Sequence, residues 1–148
     1  MSDAVHTQAS ESTSFTPRVF SGIQPSGGLT LGNYLGAIKR FVDMQQSGIE
    51  TLYCMVDLHA VTVWQDPETL RHNTRELAAG YIAAGLDPEK AILFRQSDIP
   101  EVTELTWILT SVTPMGMLER AHAYKAAMDR GENVDHGLFT YPVLMAAD

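Results

Sequence analysis

Apolar and polar positions follow two different periods along this chain. "RVFSG" at 18–22, "TLYCMV" at 51–56 and "AILF" at 91–94 are short apolar runs closed by turn formers or charge, and each predicts a β-strand. Between the first two, Leu35, Ile38 and Val42 recur every three or four residues, which predicts a helix over 32–46. Between the second and third, Asp66 is a good N-cap and Pro67 suits the first helical position. Leu70, Leu77, Ala78, Tyr81 and Ile82 then form one apolar stripe until Gly85 stops the helix. Strand, helix, strand, helix, strand with short connections implies right-handed crossovers and a parallel sheet, part of a doubly wound α/β domain. Beyond Pro100 the pattern is helical in three stretches, "EVTELTWILTSV", "MGMLERAHAYKAAMD" and "HGLFTYPVLMAAD", and no repeat occurs.

Composition narrows this picture. With 148 residues, 45% of them hydrophobic, the chain has the length of one domain and can bury a core. No apolar run approaches the roughly 18 to 20 residues of a membrane span, so no membrane association is expected. Residues 1–17 lack an apolar segment and any arginine, and are expected to be a disordered, uncleaved tail ahead of a domain over 18–148. The single cysteine, Cys54, excludes an intrachain disulfide and lies in an apolar run, which predicts a buried, inert thiol and fits a reducing cytoplasm. A net charge of −8 argues against coating nucleic acid by bulk electrostatics. Local basic pairs remain at Lys39/Arg40, Arg71/Arg75 and Arg120/Lys125, a spacing that solvated helix faces also show.

Parallel α/β sheets gather ligands at the carboxyl ends of their strands. Here those ends carry Ser21, Gly22 and Gln24, then Asp57 and His59, then Arg95, Gln96, Ser97 and Asp98. Asp57 and His59 alone do not make a metal site, for no further ligand stands at useful spacing, and no bound metal is expected from them. Trp64, Trp107, Met115 and Met117 read as core residues, His72 and His136 as exposed, and His6 as part of the tail.

The segment "FSGIQPSGGLTLGNYLGA" at 20–37 holds five of the eleven glycines. It fits neither GxGxxG nor the P-loop, whose lysine position is occupied by Asn33. What remains is a glycine-rich connection ending in Gly32 and Asn33 at a helix start, where free N–H groups and the helix dipole attract a phosphate. A plain Gly/Asn helix cap without ligand is the other reading.

"TLGN" at 30–33 resembles the HIGH signature of class I aminoacyl-tRNA synthetases. "GIQPSG" before it, "VDLHAVTVWQDP" at 56–67 and "TYPVLMAAD" at 140–148 resemble the tryptophanyl-tRNA synthetases among them. The resemblance covers 18–148 and implies the Rossmann-like catalytic domain of that class, with Asp148 partway along it, so the chain is expected to be an N-terminal part. It also implies that Gln24, Pro25, Ser26, Gly32 and Asn33 face ATP, with Thr30, Gly32 and Asn33 as the catalytic signature. Asp148 would accept the indole N–H of tryptophan, Tyr141, Met145 and His59 would line the amino-acid pocket, and Phe20 and Gly22 would shape its floor. The implied activity is tryptophan–tRNA ligation: ATP and Mg²⁺ convert L-tryptophan to tryptophanyl-adenylate and pyrophosphate, and the amino acid passes to tRNA(Trp). A cytoplasmic homodimer is implied as well.

The residues agree with that chemistry, because the tryptophan carboxylate is itself the nucleophile and the protein need only position it and stabilise phosphate charge. Three departures stand out. Thr30 and Asn33 replace the histidines of the general class pattern. "AHAYKAAM" at 121–128 replaces a polar run of the M-T-Q-F-K kind, leaving Lys125 or His122 to take its contacts. No KMSKS-like lysine loop occurs, so impaired activity is expected of these 148 residues alone. Two alternatives stay open: a nucleotide- and tryptophan-binding module without ligase activity, and a tyrosyl-tRNA synthetase.

Overall fold

Three parallel strands in the order β1-β2-β3 form the sheet: β1 (Arg18–Ile23), β2 (Glu50–Met55) and β3 (Ile92–Arg95). The computed structural model describes residues 15–148, so the tail expected over 1–17 lies outside the described residues except for its last three. β1 pairs with β2 from Arg18↔Glu50 to Ile23↔Met55, and β2 with β3 from Leu52↔Ile92 to Met55↔Arg95. The α/β alternation and the parallel pairing are those that the periodicity predicts.

The first crossover is one continuous helical run with an irregular start. α1 (Leu31–Asn33) passes into a π-helical turn (Tyr34–Ile38) and then into α2 (Lys39–Met44). The wider turn admits an extra residue and shifts the phase of the buried stripe. Ile38 and Phe41 therefore face the core while Leu35, expected there, is exposed. After β2 comes the short α3 (Asp57–Ala60), then α4 (Pro67–Ala83). The Asp66 carboxylate accepts the Thr69 N–H at 2.9 Å, as its N-cap position requires, and Gly85 turns the chain out of the helix at φ +107°.

Both crossover helices cover the same sheet face. Ile38 and Phe41 meet Leu77 and Tyr81 of α4 over Tyr53 and Met55 of β2. The Phe41 and Tyr53 rings stack at 4.3 Å, and the Tyr53 hydroxyl donates to the Phe41 carbonyl at 3.1 Å. Each such buried aromatic contributes about 1.5–3 kcal/mol, with roughly 0.5–1.5 more for a ring pair. Gln45, also buried, donates to the Gly85 carbonyl at 2.8 Å and accepts the Asp87 N–H at 2.9 Å, tying α2 to the turn after α4. Ile82, expected in the α4 stripe, is exposed.

A 3-10 turn (Gln96–Asp98) follows β3, and then α5 (Pro100–Val112), α6 (Met115–Leu118), α7 (His122–Asp129) and α8 (His136–Ala147). Leu118, Phe139 and Val143 form a second small core with Leu109 and Tyr124 packed on it. Trp64, Trp107, Met115 and Met117 are not core residues: Trp64 is 82% exposed and Trp107 72%, with both methionines likewise exposed. Trp64 sits in the loop between α3 and α4, and Trp107 lies off the α5 row through which Leu109 joins the second core. His72 and His136 are exposed as expected, and Cys54 is fully buried.

Candidate functional site at the carboxyl ends of the strands

The loop after β1 carries uncharged polar groups in the open: Gln24 and Ser26 are exposed on either side of the buried Pro25. It ends in a reciprocal cap. Thr30 Oγ1 accepts the Asn33 N–H at 3.2 Å, while Asn33 Oδ1 accepts the Thr30 N–H at 3.0 Å and the Thr30 hydroxyl at 2.7 Å. With Oδ1 committed twice, the Asn33 amide nitrogen carries the free donors, and it has no partner among the described residues. Gly32 is exposed beside it, and a Cβ there would touch only Thr30 Oγ1, at 3.5 Å. The helix start thus presents an amide donor and bare backbone to solvent, an arrangement suited to an anion.

At the ends of β2 and β3 a second group of polar side chains is buried. His59 Nε2–H donates to Asp148 Oδ2 at 2.8 Å, and both side chains are 8% exposed. Gln96, 1% exposed, donates from its amide nitrogen to Asp148 Oδ1 and accepts the Leu58 and His59 N–H groups at 3.1 and 3.3 Å. One glutamine therefore joins the end of β3, the start of α3 and the end of α8. A carboxylate has about four acceptor positions, so two remain on Asp148 for a further donor.

Tyr141, Met145 and Asp148 follow each other at i, i+4 and i+7 and share one face of α8. The Tyr141 ring packs edge-on to His59 with centroids 6.3 Å apart, whereas Met145 is largely exposed. Phe20 is also part-exposed, its ring 6.4 Å from Phe94 on the sheet face opposite the Tyr53 core. Gly22 has its own steric reason: a Cβ there would lie 2.7 Å from Val56 Cγ1 and 3.0 Å from the Cys54 carbonyl oxygen. Burial, with the negative charges of Asp148 and Asp57 added, pushes the Cys54 thiol up to about 12 and keeps it unreactive.

Asp57, beside this group, accepts the Ser97 N–H at 3.0 Å and its hydroxyl at 2.6 Å, and so braces the turn that presents Gln96. Of the residues expected at the amino-acid site, the structure joins His59, Tyr141 and Asp148. Gln96, which sequence reasoning placed among polar strand ends without a role, is the group that ties the start of α3, at Leu58 and His59, to Asp148. Its only signal was an amide side chain directly after an apolar strand. His122 and Lys125 lie exposed on α7.

A family model described as tRNA synthetases class I (W and Y) matches residues 14–148. Among curated relatives, tryptophan–tRNA ligase of Rhodopirellula baltica is 57% identical over 131 residues, covering 88% of this chain and 41% of that protein. The Fusobacterium nucleatum tryptophan–tRNA ligase is 52% identical over 88% of this chain and 40% of its own length. A crystal structure of Campylobacter jejuni tryptophanyl-tRNA synthetase complexed with ADP and tryptophan superposes with a TM-score of 0.82 at 50% identity, over 89% of this chain and 41% of that one. The chain therefore spans about 40% of the length of the relatives it matches.

Proposed function

Because the chain belongs to the class I tRNA synthetases of the W and Y family, we propose that it forms the ATP- and tryptophan-binding part of a tryptophan–tRNA ligase. The observation that carries this reading is the buried Asp148 carboxylate, held by His59 and Gln96 with acceptor positions still free. An indole N–H satisfies such a carboxylate. Phenylalanine, with no donor, leaves those remaining positions desolvated and unfilled, at a cost of about 1–3 kcal/mol or somewhat more for a charged acceptor. The activity named for the relatives, and the ADP and tryptophan in the Campylobacter jejuni complex, support the same assignment.

Activation then proceeds by attack of the tryptophan carboxylate oxygen on the α-phosphorus of ATP. That forms the mixed anhydride and breaks the bond to the β-phosphate, which departs as pyrophosphate. The chain's share is positioning and charge: the Asn33 amide and the bare backbone at Gly32 receive the phosphates at the helix start, with Gln24, Pro25 and Ser26 alongside. Among the described residues no three His, Cys, Asp or Glu side chains cluster to cage a metal, so Mg²⁺ would arrive on the phosphates of ATP. Transfer to tRNA(Trp), a cytoplasmic location and a homodimer complete the proposal. The apolar side chains exposed on α5 and α6, Trp107, Ile108, Val112 and Met115, are in keeping with a subunit contact.

The test is ATP–pyrophosphate exchange with each amino acid in turn. Stimulation by tryptophan alone supports the reading, and equal or greater stimulation by tyrosine selects the other branch of the family.

A further inference from the structure

Gly80 lies in the last turn of α4 with a φ outside the left-handed region, so the backbone does not call for glycine there. In a helix that choice costs about 1 kcal/mol relative to alanine. Space accounts for it. A Cβ on Gly80 would overlap Leu29 Cδ1 and stand 3.4 Å from Leu29 Cγ. Leu29 immediately precedes Thr30, the residue that caps Asn33, yet it is 41% exposed, so burial alone does not explain why it points at α4. Gly27, Gly28 and Leu29 face Ala79, Gly80 and Ala83 across a groove of about 470 Å³, the place where the glycine-rich loop rests on the second crossover helix.

We infer that Gly80 is a positioning residue for the nucleotide loop: the notch it leaves in α4 seats Leu29, and the seated leucine sets the approach of 27–30 and with it the Thr30–Asn33 cap. This rests on the proposed role of Asn33 toward phosphate. Filling the notch obliges Leu29 to leave it, and the loop loses its hold on α4.

The test compares Gly80→Ala, Leu29→Ala and the double variant in the whole chain, reading backbone amide resonances at 27–33 without ligand and the Kd values of ATP and tryptophan. Gly80→Ala should move the amides of 30–33 and weaken ATP about 3- to 10-fold with tryptophan unchanged, as for a displaced positioning group. Leu29→Ala, which empties the same seat, should weaken ATP comparably, and the double variant should match Leu29→Ala without a further loss, since the added methyl then has nothing to displace. A helix-stability effect would move the melting temperature and leave that split untouched. Unmoved amides at 30–33 in Gly80→Ala, with Leu29 merely swinging aside, overturn the inference. Moved amides in a chain that binds no ATP even unaltered overturn the nucleotide reading instead.

Discussion

Asn33 Oδ1 is held by both donors of Thr30, the N–H at 3.0 Å and the hydroxyl at 2.7 Å, and this fixes which end of the Asn33 amide faces out. Asn33→Asp keeps an oxygen for Thr30 but replaces the free N–H donors with negative charge. Asn33→Ala removes the donor and the reciprocal half of the cap together, leaving Thr30 Oγ1 on the residue-33 N–H. ATP binding should therefore fall at least about tenfold in both, while Asn33→Asp retains the helix start, whose capping contributes about 0.5–2 kcal/mol. Tryptophan affinity should stay the same. Titration calorimetry with each ligand, beside thermal melts, checks this, and an Asn33→Asp chain that binds ATP as before would remove the amide from the phosphate site.

Gln96 has no solvent to fall back on, and its partners lie 37, 38 and 52 residues away. Gln96→Glu preserves its shape and its acceptor for the Leu58 and His59 N–H groups, but sets a second carboxylate oxygen against Asp148. We expect a stability loss of about 1–3 kcal/mol and a tryptophan affinity lowered by roughly tenfold. The change should ease as the pH is lowered and the new pair shares a proton. ATP affinity should not follow. Equal losses for both ligands would make Gln96 a fold residue only.

Cys54 gives a pH signature. Its ordinary value near 9 is pushed up to about 12 by burial and by the carboxylates of Asp148 and Asp57, so the folded chain keeps a proton that the unfolded chain loses. The stability tied to that protonated thiol is whole below about pH 9 and falls as pH rises toward about 12. Burial also raises the phenols of Tyr53 and Tyr81, which extend the decline at higher pH. Denaturant melts of Cys54→Ala should therefore show a flatter fall where the thiol alone titrates. At pH 8 a thiol reagent should label the unaltered chain only on unfolding; rapid labelling of the folded chain would contradict the burial.

Much of the sheet half was legible because its signals are local. Asp66 and Pro67 announce a helix start, Gly85 a stop, and the runs at 51–56 and 91–94 fit strands flanked by helical periods. Leu35 misled because a π-turn shifts the stripe, and nothing in "NYLGAIKRF" marks an extra residue per turn. Trp64, Trp107, Met115 and Met117 misled because bulk and apolarity do not say which face of a helix or loop finds a neighbour. The motif residues His59, Tyr141 and Asp148 lie together in the structure, but Gln96 could not be seen to join His59 and Asp148, since its partners come together only when β3, α3 and α8 converge.

If Asp148 reads an indole N–H, the ratio of tryptophan to phenylalanine affinity must depend on its carboxylate. In the unaltered chain calorimetry should find tryptophan bound at least about a hundredfold more tightly, because only tryptophan supplies the donor that a buried carboxylate needs. In Asp148→Ala the acceptor is gone, and the ratio should collapse toward the roughly tenfold or less that ring size alone provides. A ratio near one in the unaltered chain, or one that Asp148→Ala leaves intact, would contradict the assignment.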